Sequence, residues 1–98
     1  MAVETSHEPP PVPPQTSLSG KPAARTHDRT PTFRFHANVG AAAFQCSVDR
    51  GRFKSCRSPF TTASLKPGRH AFSVRAVANG LTDPTPAGFS FQVLKKGR

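Results

Sequence analysis

The 98-residue sequence predicts an all-β fold of about seven short strands, arranged as a sandwich or a barrel. Three observations lead to this prediction. From residue 32 onward, apolar residues alternate with polar ones, which is the period of a half-buried strand. Turn-forming residues separate the alternating segments. All eight phenylalanines lie between Phe33 and Phe91, and because the chain lacks tryptophan and tyrosine they must supply the aromatic part of the core.

The chain divides into a tether, one domain and a tail. Residues 1–14 are rich in proline and almost free of large apolar side chains, so we expect a disordered or polyproline-type segment. Residues 15–94 form the predicted domain. At about 80 residues, this domain is near the size at which a small core needs further stabilisation. Residues 95–98 form a basic C-terminal tail.

The strands are predicted in order along the chain. A short first strand spans residues 16–21, and a loop follows over 21–31. Clear alternation then marks four segments, which are 33–36, 44–48, 70–76 and 89–93. Shorter strands near 53–56 and 60–63 complete the seven. The turns between strands are predicted at Asn38 to Gly40, Asp49-Arg50-Gly51, Lys66-Pro67-Gly68, Asn79-Gly80, and Asp83-Pro84 with Pro86.

The two cysteines, Cys46 and Cys56, flank the hairpin that turns near residues 49–51. Across such a turn they come close enough for a disulfide between neighbouring strands, which indicates an oxidising compartment. A bridge that closes about 11 residues contributes roughly 3 kcal/mol to the stability of so small a domain. The alternative is a pair of reduced, buried thiols in a cytosolic protein. Two cysteines with no histidine at finger spacing do not make a zinc site.

The charge is strongly positive, with 14 Lys and Arg against five acids and a formal net charge of +9. Such a surplus favours an anionic partner, whether nucleic acid, anionic lipid or cell-wall polymer. The likeliest contacts are four basic residues on or beside the hairpin, Arg50, Arg52, Lys54 and Arg57. In a strand the first three share a face. The alternative is a solvated hairpin tip and an arginine-rich surface without a partner.

No constellation for catalysis is visible in the sequence. Of the five acids, two lie in the tether, and Asp28, Asp49 and Asp83 lie in separate turns, where Asp83 before Pro84 is most simply a turn former. The four histidines show no spacing typical of metal ligands, and no glycine-rich phosphate loop is present. We therefore expect neither an enzyme nor a bound cofactor or metal ion.

Several separate motifs, in the same order, resemble a bacterial immunoglobulin-like repeat related to fibronectin type III domains. They are Thr30 to Phe35, Phe44 to Asp49, Phe53, Cys56, Ser58-Pro59, Leu65, Gly68, His70, Phe72 to Ala76 and Asp83 to Ala87, and the match covers roughly residues 16–93. The resemblance implies an immunoglobulin-like antiparallel β-sandwich, an extracellular setting, and a disulfide between Cys46 and Cys56. Such repeats occur in large secreted or surface-attached proteins, often in tandem.

This chain departs from the repeat at two places. The hairpin turn usually has Asp-Gly where this chain has Asp49-Arg50, and the loop before Asp83 is shorter than usual. The segment Leu65, Gly68 and His70 lies where such sandwiches often place a tyrosine whose hydroxyl ties down a corner. His70 takes that place, and we interpret it as structural and not as a catalytic or metal-binding residue.

These observations predict a non-catalytic structural or adhesive module, located outside the cell or on its surface. Its basic hairpin is predicted to contact anionic wall polymers or glycans. The first seven residues do not resemble a signal peptide, which is in tension with that location. No apolar run approaches the roughly 20 residues of a membrane span, so membrane insertion is not expected, and the domain is predicted to be monomeric. The alternative function is a cytoplasmic, nucleic-acid-associated basic protein with reduced cysteines.

Overall fold

The computed structural model describes residues 12–95, which are all-β and contain no helix. Of the predicted tether and tail, only residues 12–14 and Lys95 fall within this range. None of the described residues forms a helix of the length and apolarity that crossing a bilayer requires. The strands are β1 Thr16–Gly20, β2 Arg25–Thr26, β3 Thr32–Ala37, β4 Ala43–Val48, β5 Lys54–Cys56, β6 Phe60–Thr61, β7 Gly68–Ala78, β8 Leu81–Thr82 and β9 Ala87–Val93.

The strands form two sheets. One has the order β1-β3-β6, and the other has the order β2-β9-β7-β4-β5 with β8 paired to the end of β7. The predicted alternation is confirmed, because the large apolar residues at alternate positions of the longer strands face the opposite sheet. Phe33 of β3 and Phe72 of β7 are buried and stack across the two sheets, with ring centroids 3.9 Å apart. Phe35, Cys46, Val74, Phe91 and Val93 complete the buried cluster.

The predicted count of seven strands was too low, and the sheets are not wholly antiparallel. The two additional strands, β2 and β8, have two residues each. A two-residue strand has no alternation to detect, and its existence depends on the neighbour with which it pairs. β2 lies within the predicted loop over 21–31 and pairs parallel to β9, with Arg25 opposite Gln92 and Thr26 opposite Val93.

The predicted disulfide is confirmed. Cys46 of β4 and Cys56 of β5 are bonded, with their Cα atoms 5.8 Å apart. In the register of these strands Cys46 lies opposite Lys54, and Cys56 lies opposite Phe44. The two sulfurs therefore meet diagonally on the inner face of the sheet, where the bridge fixes the short edge strand β5 to β4.

Asp83 does more than form a turn. Its side chain is buried, with 1% exposed. Oδ1 accepts hydrogen bonds from the N–H and Oγ1 of Thr85, at 2.8 and 2.9 Å, which is the expected turn. Oδ2 accepts from the N–H and Oγ1 of Thr16, at 2.9 and 2.6 Å. The Oγ1 of Thr16 also accepts from the N–H of Ala76 at 2.9 Å. The carboxylate thus ties the first strand of one sheet to the other sheet.

Candidate functional site

The four predicted basic residues do not all border the same groove. The sequence interpretation put Arg50, Arg52 and Lys54 on one face of a strand, but β5 begins only at Lys54. Arg50 lies in the turn and borders one groove, whereas Arg52 and Lys54 border a different cleft. Arg57 borders neither of the two. Arg50 and Arg52 precede the strand, so the alternation of a strand does not place them on a face with Lys54.

A groove of about 650 Å³ lies on the outer face of the larger sheet, at the end where β7 begins. Its lining includes Arg25, Asp49, Arg50, Arg69, His70 and Gln92. Successive residues of a strand point to opposite faces, and His70 and Phe72 point inward, so Arg69 and Ala71 point outward. Three arginines of three different segments therefore border one concave surface.

The sheet aligns two of these arginines. Gln92 of β9 lies opposite Arg69 of β7 on one side and opposite Arg25 of β2 on the other. Paired residues of neighbouring strands point to the same face, so the three side chains form a row. Because neighbouring strands lie about 4.8 Å apart, the Cα atoms of the two arginines are about 10 Å apart.

The turn after β4 brings the third arginine to the groove. Asp49 and Arg50 both have left-handed backbone conformations, with φ of 55° and 62°, and the N–H of Gly51 donates to the carbonyl of Val48 at 3.0 Å. This is a type I′ turn. The N–H of Asp49 donates to the carbonyl of Ala71 at 2.7 Å, and the N–H of Ala71 donates to Oδ1 of Asp49 at 2.9 Å. These contacts continue the pairing of β4 with β7, so the turn is held alongside β7.

His70 ties the same turn from the other side. Its Nδ1 lies 2.7 Å from Oδ2 of Asp49, and its Nε2 lies 2.7 Å from the carbonyl oxygen of Lys66. Both ring nitrogens thus face oxygen acceptors, and only the protonated imidazole donates to both. The hydrogen bond to Lys66, opposed by burial and reinforced by Asp49, raises the pKa of His70 above its usual value.

The pKa of Asp49 moves in the complementary direction. Partial burial opposes ionisation of this carboxyl, but the hydrogen bonds from His70 and Ala71 outweigh burial and lower its pKa. Asp49 is the acid that borders the groove, and protonated His70 compensates its charge. The three arginines then supply the unpaired positive charge of the groove.

We expect the pair to give a bell-shaped dependence of stability on pH. The contribution of His70 is complete below its usual pKa of 6.5 and is lost as pH rises through the higher pKa of the folded state. The contribution of Asp49 is complete above 3.8 and is lost as pH falls through its lower folded-state pKa. Urea unfolding of wild type and His70→Gln between pH 2 and pH 9 measures both limbs.

The control for this series is His36→Gln, which changes an exposed histidine of β3. The difference between wild type and His70→Gln should be largest between the two limbs and should shrink toward high pH. His36→Gln should follow wild type throughout. A constant difference between wild type and His70→Gln across the whole range would mean that packing, and not the charged pair, stabilises the turn.

A second cleft, of about 370 Å³, opens between the edge strands β5 and β6. Its floor is apolar and includes Val48, Cys56, Phe60 and Leu65, and Arg52 and Lys54 border it. Lys54 lies opposite Cys46, so its side chain leaves from the inner face of the sheet at its open edge. These two basic residues therefore border a different cavity from the row of Arg69, Gln92 and Arg25.

The predicted corner residues lie at the start of β7. Leu65 is half-buried and packs against the core, and its backbone N–H donates to the carbonyl of Arg29 at 2.8 Å. Gly68 has a φ of 134°, a conformation that other residues rarely adopt. His70 then reaches back four residues to the carbonyl of Lys66. This arrangement positions the imidazole beside the groove.

Arg25 and Arg69 were missed as site residues by reasoning from the sequence. Arg69 carried one available signal, because it alternates with the inward-facing His70 and must point outward. Arg25 carried none, since it lies in a two-residue strand whose position is fixed only by pairing with β9. The sequence alone did not place the two arginines, 44 positions apart in the chain, on one row.

The groove offers hydrogen-bond donors and positive charge, which suit binding of an anion. Within residues 12–95, no group of three or more His, Cys, Asp and Glu side chains is placed to hold a metal ion. The three described acids lie apart, in the turns at Asp28 and Asp49 and in the buried contact of Asp83. No protein-family model, curated protein or solved structure matches the chain.

Proposed function

We propose that this chain is an immunoglobulin-like β-sandwich module of a secreted or cell-surface protein, which acts without catalysis as an adhesive or spacing unit and contacts an anionic polymer. The strand order supports this assignment. The smaller sheet has the order β1-β3-β6, and the larger has β9-β7-β4-β5 with the short β2 added in parallel to β9. In an immunoglobulin-like sandwich these correspond to strands A, B and E on one side and G, F, C and C′ on the other.

The ends of the sandwich suit a spacing unit. β1 begins beside Ala76, to which Thr16 is hydrogen-bonded, whereas β9 ends opposite Gly68. Gly68 and Ala76 are eight residues apart along β7, which corresponds to about 26 Å. The chain therefore enters at one end of the sandwich and leaves at the other, as consecutive domains in an elongated protein do. The groove lies at the exit end.

The observation that best supports an anionic partner is that the described lysines and arginines form no ion pairs with carboxylates of the same chain. The chain has 14 Lys and Arg, and in the part that the structure describes the one ion pair joins His70 to Asp49. No described lysine or arginine is therefore engaged with a carboxylate. An unneutralised cationic surface with a concave centre attracts polyanions.

Two observations favour an extracellular polymer over a nucleic acid. Disulfides persist in oxidising compartments and are rare in the cytosol. Proteins that bind single-stranded nucleic acid usually offer aromatic faces for stacking. Here the Arg75 guanidinium lies 4.0 Å from the ring centroid of Phe53, and the Lys21 ammonium lies 4.8 Å from that of Phe89. These two half-buried rings are covered by cations, and the stacked pair Phe33 and Phe72 is in the core.

Retention on immobilised polyanions tests the proposed partner. The oxidised protein is applied at low salt to linear polyphosphate, to a sulfated glycan and to duplex DNA, with the uncoated matrix as the control. We expect retention on the first two that weakens as the salt concentration rises, because bound counterions are released from the polymer. Passage through both columns without delay contradicts the proposed partner. Preferential retention on DNA favours the nucleic-acid alternative.

The proposed location is tested by the intact mass of the protein from its own host, after separation of cells from medium and treatment with an alkylating reagent under non-reducing conditions. We expect protein in the medium or at the cell surface, unalkylated and lighter by two hydrogens because of the bond between Cys46 and Cys56. Two alkylated thiols in the cytosolic fraction contradict the location.

A further inference from the structure

We propose that the groove bordered by Arg25, Arg50 and Arg69 is a discrete binding site for the phosphate or sulfate groups of an extracellular polymer. This inference rests on the proposed function and makes it more specific, since it assigns the binding to the groove and excludes the hairpin edge formed by Arg52, Lys54 and Arg57. The assignment depends on three features of the groove, namely its hydrogen-bond donors, its size and the contacts that Asp49 makes with Ala71 and His70.

Two of the three arginines lie on paired strands and not in a loop. Arg69 and Arg25 flank Gln92 on three neighbouring strands, so their backbones are held by ladder hydrogen bonds. A guanidinium presents a planar fork of N–H donors that matches the oxygens of phosphate and sulfate, and the amide group of Gln92 adds a neutral donor between the two forks. With Cα atoms about 10 Å apart, the two arginines are spaced to contact separate charged groups of one polymer.

The size of the groove fits a segment of polymer. Its volume of about 650 Å³ lies within the range of about 300–1,000 Å³ that ligand sites occupy. Small side chains, Ala24, Ala71 and Ser90, border it between the arginines and leave the outer face of the sheet accessible. A polymer can therefore lie across the strands while the arginines hold it from the sides.

The acid in the groove is hydrogen-bonded to His70, which neutralises its charge when the imidazole is protonated. Asp49 would repel an anion, yet its two carboxylate oxygens are occupied by the N–H of Ala71 and by the ring of His70. The same contacts hold the turn that carries Arg50. Asp49 thus positions Arg50 while the charge of His70 offsets its own.

Arg50 has a left-handed backbone conformation that other residue types adopt more readily than arginine. The two central positions of a type I′ turn prefer asparagine, aspartate and glycine, and an arginine with φ of 62° is disfavoured there. Glycine at this position is expected to be at least as stable. An arginine at this point of the turn is therefore better explained by what its side chain contacts than by the needs of the fold.

Two matched triple variants test the assignment. The groove variant is R25Q/R50Q/R69Q, and the control is R52Q/K54Q/R57Q. Both replace three exposed basic side chains and lower the formal net charge equally, from +9 to +6. The dissociation constants of wild type and both variants for linear polyphosphate and for a sulfated glycan are measured at several salt concentrations, and urea unfolding verifies that each variant is folded.

We expect the groove variant to bind about 30-fold more weakly, a loss of about threefold for each exposed contact. The slope of log affinity against log salt should also fall by about 2, at about 0.7 for each contact to a flexible polyanion. The control variant should stay within about threefold of wild type. The two ligands distinguish phosphate from sulfate as the preferred group.

Other results overturn the proposal in distinguishable ways. Equal losses in the two variants mean that the charge acts diffusely, which removes the discrete groove and leaves the proposed function in place. If wild type binds neither polymer, both the assignment to the groove and the proposed function are contradicted. Arg50→Gly supplies an independent check, because we expect it to weaken binding about threefold while the urea midpoint stays unchanged or rises. A fall in the midpoint with unchanged binding assigns Arg50 to the fold and overturns its role in the site.

Discussion

Asp83→Asn is expected to lower the free energy of unfolding by about 3 kcal/mol, because it replaces a buried acceptor of several charge-assisted hydrogen bonds. The carboxylate accepts from Thr16 through one oxygen and from Thr85 through the other. An asparagine of the same shape keeps one acceptor oxygen and turns an NH₂ group toward the donors of the other threonine. Urea unfolding at neutral pH measures the loss.

Asp28→Asn is the matched control for this substitution. Asp28 is exposed, and its Oδ1 accepts from the N–H of Thr30 at 2.9 Å, in a turn like the one between Asp83 and Thr85. The chemical change is identical, but water can satisfy the groups that are exposed, so we expect a loss below about 1 kcal/mol. Similar losses at both positions would show that the turn, and not the buried contact with Thr16, accounts for the effect of Asp83→Asn.

The buried contact is isolated by adding Thr16→Val to the series. We expect a coupling of about 1–2 kcal/mol between Thr16→Val and Asp83→Asn, because the two residues share hydrogen bonds. The pH dependence provides a second signature. Burial opposes ionisation of Asp83, but the donors of Thr16 and Thr85 outweigh burial and lower its pKa below the usual 3.8. Its contribution is therefore present above pH 3.8 and lost as pH falls through the folded-state pKa, and Asp83→Asn should flatten that acid limb.

Reduction of the disulfide is expected to lower the free energy of unfolding by about 3 kcal/mol, since it frees a loop of 11 residues in the unfolded chain. The measurement compares urea unfolding of the oxidised protein with that of protein reduced while unfolded and then refolded under reductant. With a denaturant dependence of about 1 kcal/mol per molar urea, the midpoint should fall by about 3 M. The free energy of unfolding of so small a domain is low, so the reduced form should be marginally folded.

The control for reduction is the variant Cys46→Ala/Cys56→Ala, whose unfolding should not respond to reductant. The variant should be less stable than reduced wild type, because Cys46 is buried in the core and its truncation leaves a cavity. A loss below about 1 kcal/mol on reduction of wild type would mean that packing of β5 against β4 holds this edge without the bond. In that case the bridge gives little thermodynamic stability to the module.

These contacts lie at opposite ends of the sandwich. Thr16 and Asp83 join the sheets where the chain enters, and the pair of His70 with Asp49 stabilises the end that carries the groove. The disulfide lies nearer to the entry end, because Cys46 is level with Val74 and Cys56 is level with Ala76. The pH series on His70 reports on the groove end, whereas Asp83→Asn and the reduction experiment report on the part of the sandwich nearer the entry end.

The sequence by itself determined the type of each main strand and the composition of the core. Segments such as Phe44 to Val48 and Phe89 to Val93 are strands because every second side chain must be buried, and this pattern is local. The cysteine spacing across a turn likewise placed the disulfide correctly, since a hairpin brings such positions together whatever surrounds it. Local patterns also favoured the turns at Asp49 to Gly51 and Asn79-Gly80, where left-handed residues are found.

Only the tertiary structure decided which surface residues meet. The parallel pairing of β2 with β9 put Arg25 beside Gln92 and Arg69, and contact of the turn with Ala71 added Arg50. The same holds for Asp83, whose donor Thr16 is 67 residues away. Exposed arginines are not constrained by burial, so no period in the sequence records their neighbours. Their arrangement follows from strand order and register, which are set by how the buried faces of the two sheets pack together.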